Sequence, residues 1–264
     1  MNDNSLILVT GATGTLGRQV LPLLLDAGHR IRSLSRHDVP DRPGVEHTTV
    51  DLLTATGLSD AVRGVDTVLH LAGAQKGDTA GTQNLVDAAT TAGVRHLVYI
   101  SVVGADRVPV VSGVDRAMFG YFAEKRGAEL AIERSGIPFT ILRATQFHDL
   151  ALLTAQTMAK LPVMPSFAGV SFQPVETAEV AVRLAELTRG EPAGLVPDLG
   201  GPRIYPMREM LRGYLTATGT RRPILSVGSP GGAARAMRAG ANLTPERAVG
   251  TRTWEEFLAA HAAG

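Results

Sequence analysis

Tyr121 and Lys125 stand four residues apart, a spacing that sets a phenol and an ammonium on one face of a helix, one turn from each other. A phenol with its ordinary pKa of about 10 is a poor acid–base group at neutral pH until a nearby cation stabilises the phenolate. With Lys125 as that cation, Tyr121 would protonate a carbonyl oxygen while a hydride reaches the adjoining carbon, or take the proton back in the reverse direction. The chain has three lysines, Lys76, Lys125 and Lys160, so a Tyr-x-x-x-Lys pair is not a by-product of composition. The bland alternative is an exposed helical tyrosine beside a solvated lysine. The chemistry also needs a hydride source, and the start of the chain carries a place for one.

Four apolar residues, Leu6 to Val9, run directly into Thr10, Gly11, Gly14 and Gly17. A helical apolar pattern follows (Leu16, Val20, Leu23, Leu24), then Gly28 and a second strand-like run, Ile31 to Leu34. Strand, glycine turn, helix, strand is the βαβ unit that binds dinucleotides. Gly11 allows the tight turn, Gly14 lets backbone N–H groups approach a pyrophosphate, and Gly17 lets helix and strand pack closely. The helix N-terminus adds unpaired N–H groups and a positive dipole end. The second strand ends at Ser35-Arg36, where an NAD site places an acidic residue to meet the ribose 2′-hydroxyl. A guanidinium suits a 2′-phosphate instead, which points to NADP(H). Asp38, two residues on, would serve NAD, and a merely solvated Arg36 is the remaining reading. Lys125 would then also hold the nicotinamide ribose hydroxyls.

The elements that must position these groups alternate. A third strand, 45–50, ends at Asp51, where Asp51 and Leu52 would meet an adenine ring; the competing role for Asp51 is to cap the helix near Leu58. A buried strand at 65–73 ends in the small pair Ala72-Gly73, fit for a cofactor lying across the strand tips, with His70 as a satisfied core histidine. Helix 81–92, strand 96–103, helix 118–135 and strand 139–143 follow. This order implies an α/β, Rossmann-type doubly wound parallel sheet. Beyond Arg143 the pattern changes to helix 145–160, strand 170–175, helix 176–188, strand 194–199, helix 207–218, strand 223–227 and helix 253–261. Gly231–Ala241 reads only as rich in Ala, Gly and Arg. The expectation is an NADP-binding domain over 1–150 and a smaller C-terminal substrate-binding portion over 151–264, not separately folding, which closes over the strand tips. Phe147, Leu150, Met158, Met164 and Phe167 are apolar pocket candidates, each also a candidate for core.

At 264 residues the chain is long enough for a full core. Its formal charge of +1 gives no electrostatic case for nucleic acid. Zero cysteines exclude disulfides, thiolate metal sites and a cysteine nucleophile, and no metal is expected. Asn2-Asp3-Asn4 leads into the first strand without a signal-peptide pattern, and no apolar run approaches the roughly 20 residues of a membrane helix. The expected setting is cytoplasmic, with a small-molecule substrate, no nucleic-acid or membrane partner, and a monomer or homodimer.

The set Thr10-Gly-Ala-Thr-Gly-Thr-Leu-Gly17, Leu71-Ala-Gly73, His96-Leu-Val-Tyr-Ile-Ser-Val-Val-Gly104, Tyr121-x-x-x-Lys125 and Phe139-Thr-Ile-Leu-Arg143 resembles the short-chain dehydrogenase/reductase superfamily. Gln173-Pro-Val175, Glu179-Val-Ala181 and Trp254-Glu-Glu-Phe-Leu258 extend the likeness to its atypical, NmrA-like, NAD(P)H-binding branch over essentially the whole chain. The resemblance implies that Gly11, Thr13, Gly14, Thr15 and Leu16 hold the pyrophosphate. It gives Arg36 the 2′-phosphate, Asp51 and Leu52 the adenine, and Leu71, Ala72 and Gly73 the adjoining ribose. Ser101, Lys125 and the turn Ala144-Thr145-Gln146-Phe147 would border the nicotinamide.

One departure is important. Extended members continue the fifth strand into a serine run whose last hydroxyl polarises the substrate oxygen, whereas here Ser101 is followed by Val102 and Val103. Ser112, on the following loop, is the substitute on offer. Losing such a donor costs a few kcal/mol of transition-state stabilisation. The leading expectation is an NADP(H)-dependent oxidoreductase acting on a carbonyl, quinone or activated alkene of a small, mostly apolar molecule. The alternative is a non-catalytic NADP(H)-sensing protein of NmrA type, favoured by the absent serine. A nucleotide-sugar epimerase ranks third, since the chain is short and its C-terminal part lacks a basic cluster for a diphosphate.

Overall fold

The computed structural model describes residues 5–40, 42–73 and 76–262, and the chain divides into two compact units. The first comprises Met1–Ser101, Glu124–Leu142 and Val180–Val196; the second comprises Val102–Ala123, Arg143–Glu179 and Pro197–Gly264.

The elements of the central sheet begin with β1 (Leu6–Thr10), α1 (Thr15–Asp26), β2 (Arg30–Ser35), β3 (Val45–Thr49) and α2 (Leu58–Ala61). They continue with β4 (Thr67–His70), α3 (Asp78–Thr91), β5 (His96–Val102), α4 (Gly113–Arg134) and β6 (Phe139–Ala144). The sheet has seven strands in the order β3-β2-β1-β4-β5-β6-β9, where β9 is Gly194–Leu195. The pairs β2/β3, β1/β2, β1/β4, β4/β5 and β6/β9 all run parallel. Strand order reverses at β1, which leaves a crevice beyond the carboxyl ends of β1 and β4, the place where such sheets take ligands. Thr10 pairs with Leu34 on one side and His70 on the other, so the three strands end level. Every residue of β1 and β5 is buried, as expected of inner strands of a parallel sheet covered by helices.

Three elements differ from the expectation in ways that have a local cause. β3 ends at Thr49, and Asp51 opens a turn in which its Oδ1 accepts the Leu53 N–H at 3.0 Å. Asp51 therefore does not cap α2, which starts from Gly57 in a left-handed conformation without a side-chain cap. The fourth strand is four residues long because the chain leaves the sheet at Leu71. α4 begins at Gly113, five residues earlier than periodicity suggests. There Ser112 Oγ accepts the Asp115 N–H at 3.0 Å while Asp115 Oδ2 accepts the Ser112 N–H at 3.1 Å and its hydroxyl at 2.8 Å, a reciprocal cap that an apolar pattern cannot reveal.

The second unit carries α5 (His148–Ala159), β7 (Met164–Phe167), β8 (Ser171–Phe172), β10 (Tyr205–Pro206), α7 (Met207–Ala217), β11 (Ile224–Val227), α8 (Gly232–Arg238) and α9 (Trp254–Ala262); α6 (Thr177–Arg189) spans the change from second unit to first. β11 pairs parallel with β7, and β10 antiparallel with β8. Met164, Met207, Met210, Leu211, Trp254 and Phe257 form its core, and the Trp254 indole N–H donates to the Met210 carbonyl at 3.0 Å. Among the apolar pocket candidates, Met164 is fully buried in this core, Met158 and Phe167 pack against it, and Leu150 is exposed. Glycine- and alanine-rich 231–241 contains a helix, α8, in which Ala, Arg and Met are good helix formers and Ala233, Ala234 and Met237 are buried.

Candidate functional site

A cleft of about 360 Å³ opens in the first unit at the level strand ends. Of the residues expected to hold a dinucleotide, Gly11, Thr13, Gly14, Arg36, Asp51, Leu52, Leu71, Ala72 and Gly73 all line it. Gly11 has φ +70°, and a Cβ there would stand 2.6 Å from the Ala72 nitrogen. A Cβ on Gly17 would meet Ala12 Cα at 2.7 Å, so α1 and the turn after β1 approach as closely as backbone permits. Among the described residues no side chain caps the N-terminus of α1, and its first turn holds no acidic residue. Thr15 is exposed and Leu16 buried there; both offer backbone N–H groups at the positive end of the helix. A glycine cradle next to an uncapped helix end fits a pyrophosphate.

At the end of β2, Ser35 Oγ donates to the His37 carbonyl at 2.8 Å and accepts the His37 N–H at 3.1 Å. The turn so closed carries Arg36, exposed and on the cleft wall. Asp38 Oδ1 accepts the Thr49 hydroxyl at 2.7 Å, so the acidic group that would favour an unphosphorylated ribose is engaged with β3.

Beneath the cleft lies a charged cluster that the sequence reading missed. Lys125, 3% exposed, has its Nζ 3.2 Å from Asp78 Oδ2; it donates to the Tyr99 hydroxyl at 3.1 Å and the Ile100 carbonyl at 3.3 Å. Tyr99 in turn donates to Asp78 Oδ2 at 3.3 Å. Asp78 opens α3 and also lines the cleft. α3 is docked on α4 by Thr79, whose N–H donates to Glu124 Oε2 at 2.9 Å and whose hydroxyl donates to the Glu124 carbonyl at 3.1 Å, with side-chain-free Gly127 making room. Burial pushes the Asp78 carboxyl above its ordinary value, and Lys125 and Tyr99 pull it partly back. A Gly-Asp pair opening a helix just after Leu-Ala-Gly, facing a lone tyrosine in an apolar strand, was the available signal. His70 is a satisfied core histidine: Thr10 Oγ1 lies 2.7 Å from Nδ1 and Thr82 Oγ1 2.9 Å from Nε2. Burial first, then Lys125, lowers its pKa to about 3. Ser101, 4% exposed, has no hydrogen-bond partner for its hydroxyl among the described residues.

The other expected residues belong to the second unit. Tyr121 is 36% exposed on α4 and edge-to-face with Phe122. Ala144 bridges Leu199 and Phe147 bridges Val175. Thr145 Oγ1 donates to the Gln173 carbonyl at 2.5 Å and accepts the Gly201 N–H at 3.2 Å. Gln173, fully buried, donates to the carbonyls of Gly201 and Thr244, which gives the Gln-Pro-Val motif a structural role. The Ser112 hydroxyl is held by Asp115 in the α4 cap, so it does not stand in for the absent serine. Among the described residues no group of three or more His, Asp or Glu could hold a metal ion, and no helix is long and apolar enough to cross a membrane.

Residues 11–186 match the family model described as NAD(P)H-binding. A (4-alkanoyl-5-oxo-2,5-dihydrofuran-3-yl)methyl phosphate reductase of Streptomyces griseus is 32% identical over 213 residues, covering 77% of this chain and 71% of that protein. A ceramide reductase of Caulobacter vibrioides is 29% identical over 246 residues, covering 85% and 74%. In fold, the chain is similar to an NADPH-dependent quinone oxidoreductase of Escherichia coli solved with NADPH, with a TM-score of 0.77 at 21% identity over 98% of this chain and 100% of that one. With the glycine cradle, the parallel sheet and these matches in agreement, the chain belongs to the NAD(P)H-binding family.

Proposed function

We propose that this chain is an NADP(H)-dependent reductase that acts on a carbonyl, quinone or activated alkene of a small, mostly apolar molecule. The observation that carries the reading is the cleft itself: a glycine cradle and an uncapped helix end, with Arg36 on the same wall where an NAD site would have a carboxylate. The reductase names of two relatives, each covering more than two thirds of this chain, support it.

NADPH, when bound, would supply the hydride. Gly11, Gly14 and the first turn of α1 would hold the pyrophosphate through backbone N–H groups, and Arg36 would take the 2′-phosphate as a bidentate donor. Asp51 and Leu52 would flank the adenine. Ser101, Ala144, Thr145 and Phe147 are the residues proposed for the nicotinamide end, and Tyr121 for delivering a proton to the substrate oxygen or carbon as the hydride arrives.

A non-catalytic NADP(H)-sensing role is the second reading. Val102 and Val103 favour it, because they leave no hydroxyl where a substrate oxygen would be polarised. NADPH consumption measured against a panel of quinones, ketones and enones tests both. Turnover with any class supports the reductase. Firm NADPH binding with no turnover on any of them supports the sensor.

A further inference from the structure

The resemblance assigns Lys125 to the cofactor's ribose, but its ammonium has three N–H donors and three recorded acceptors within the protein: Asp78 Oδ2, the Tyr99 hydroxyl and the Ile100 carbonyl. To reach a ribose, it would have to give one of them up inside a core where the lysine side chain is 4% exposed. Asp78 stands differently. Its carboxyl is 5% exposed, yet it borders the cleft beside Gly73, and both of its recorded contacts go to one oxygen, Oδ2. A buried carboxylate gains from every further donor that reaches it.

We propose that Asp78 is a cofactor-binding residue whose carboxylate accepts a hydrogen bond from a ribose hydroxyl of the dinucleotide, with Lys125 as the positioning residue that holds it charged and aimed. The proposal rests on the cleft being the dinucleotide site. Two hydroxyl sources share this chemistry. The nicotinamide ribose of NADPH presents a vicinal diol, and the adenosine ribose presents one free hydroxyl because its 2′-oxygen carries the phosphate. Simple electrostatics predicts the opposite effect of removing Asp78: taking a negative charge away from a polyanion's site should tighten binding. The sign of the change therefore separates a specific hydrogen bond from a general field.

The test is calorimetric titration of NADPH and of adenosine 2′,5′-bisphosphate, which lacks the nicotinamide ribose, into wild type and Asp78→Ala. The expected result is a loss of NADPH affinity of about ten- to hundredfold, the range of a hydrogen bond to a charged group. If adenosine 2′,5′-bisphosphate binds both proteins equally, the hydroxyl belongs to the nicotinamide ribose. If it weakens in parallel while the melting curve stays cooperative, the hydroxyl is that of the adenosine ribose. NADPH affinity that is unchanged or raised overturns the proposal. Asp78→Ala strands a buried lysine, so Lys125→Met and Asp78→Ala/Lys125→Met are compared as well. Neither contains a lone ammonium; the single keeps a buried carboxyl without its cation, which still offers a neutral acceptor, and the double variant must bind NADPH about three- to tenfold more weakly than the single. Wild type that binds neither ligand removes the cofactor reading itself, an outcome distinct from wild type that binds both and a variant that does not differ.

Discussion

A Cβ on Gly11 would lie 2.6 Å from the backbone nitrogen of Ala72, and the Gly11 φ of +70° disfavours any side chain in the first place. The turn after β1 is thus pressed against the end of β4, and the floor of the cleft is backbone on both sides. Gly11→Ala should cost about 1–3 kcal/mol of stability through strain and displacement and remove NADPH binding, because the loop must move outward into the pyrophosphate position. Urea denaturation paired with NADPH titration checks it. A variant that keeps wild-type affinity would mean the cradle does not touch the cofactor.

Arg36 makes no ion pair among the described residues, while neighbouring Asp38 is taken up by Thr49. A guanidinium with no ion-pair partner among the described residues, on the cleft wall, is available to a phosphate. Arg36→Ala should weaken NADPH by about ten- to a hundredfold and leave NADH within about twofold, since only the former carries the 2′-phosphate. Equal losses for both nucleotides would defeat the assignment.

The β1–turn–α1 unit was legible because local signals agree there: a solid apolar run, glycines at the hand-over, and a helical stripe after it. So was the parallel sheet, which follows from strict alternation. The pairing of β7 with β11 was not, because Met164-Pro-Ser-Phe167 has little period and its partner lies some sixty residues on. α8 was hidden for a related reason, since Ala233, Ala234 and Met237 become a buried face only once the rest of the unit supplies a surface. At the site, the glycine and arginine positions could be read from type and spacing. The Asp78–Lys125–Tyr99 cluster was signalled only by a Gly-Asp pair and a lone strand tyrosine, because it joins a helix start, a helix interior and a strand through tertiary packing, and Lys125 alone suggested a freer ammonium than the fold provides.

Tyr121 is the group proposed to deliver the proton, and it retains 36% of its surface exposed. General acid catalysis of this kind contributes about 10²–10⁴-fold. Tyr121→Phe should therefore lower kcat by about that factor with any substrate whose oxygen must be protonated, while NADPH affinity changes less than about twofold. Single-turnover kinetics alongside cofactor titration separates the two quantities. Unchanged kcat would remove Tyr121 from the chemistry and shift the reading towards substrates, such as quinones, whose reduced anions need no acid.

His70 links the fold to pH. Its ring is held between Thr10 and Thr82 in the neutral form, and burial with nearby Lys125 lowers its pKa from 6.5 to about 3. Above pH 6.5 neither the folded nor the unfolded chain protonates it. As the pH falls below 6.5 the unfolded chain takes up a proton that the folded chain refuses, so stability declines down to about pH 3. The loss is near 1.4 kcal/mol per pH unit, or about 2 kcal/mol at pH 5. His96 and His148 are shifted the same way by burial and steepen the decline. His70→Gln, which cannot titrate, should be less stable than wild type at pH 8 for loss of one of its two threonine contacts, yet show a visibly flatter fall between pH 6.5 and 4.5. Parallel slopes for the two proteins in urea titrations across that window would mean that His70 is already protonated in the fold, and that the Thr10–His70–Thr82 chain carries a charge beneath the cleft.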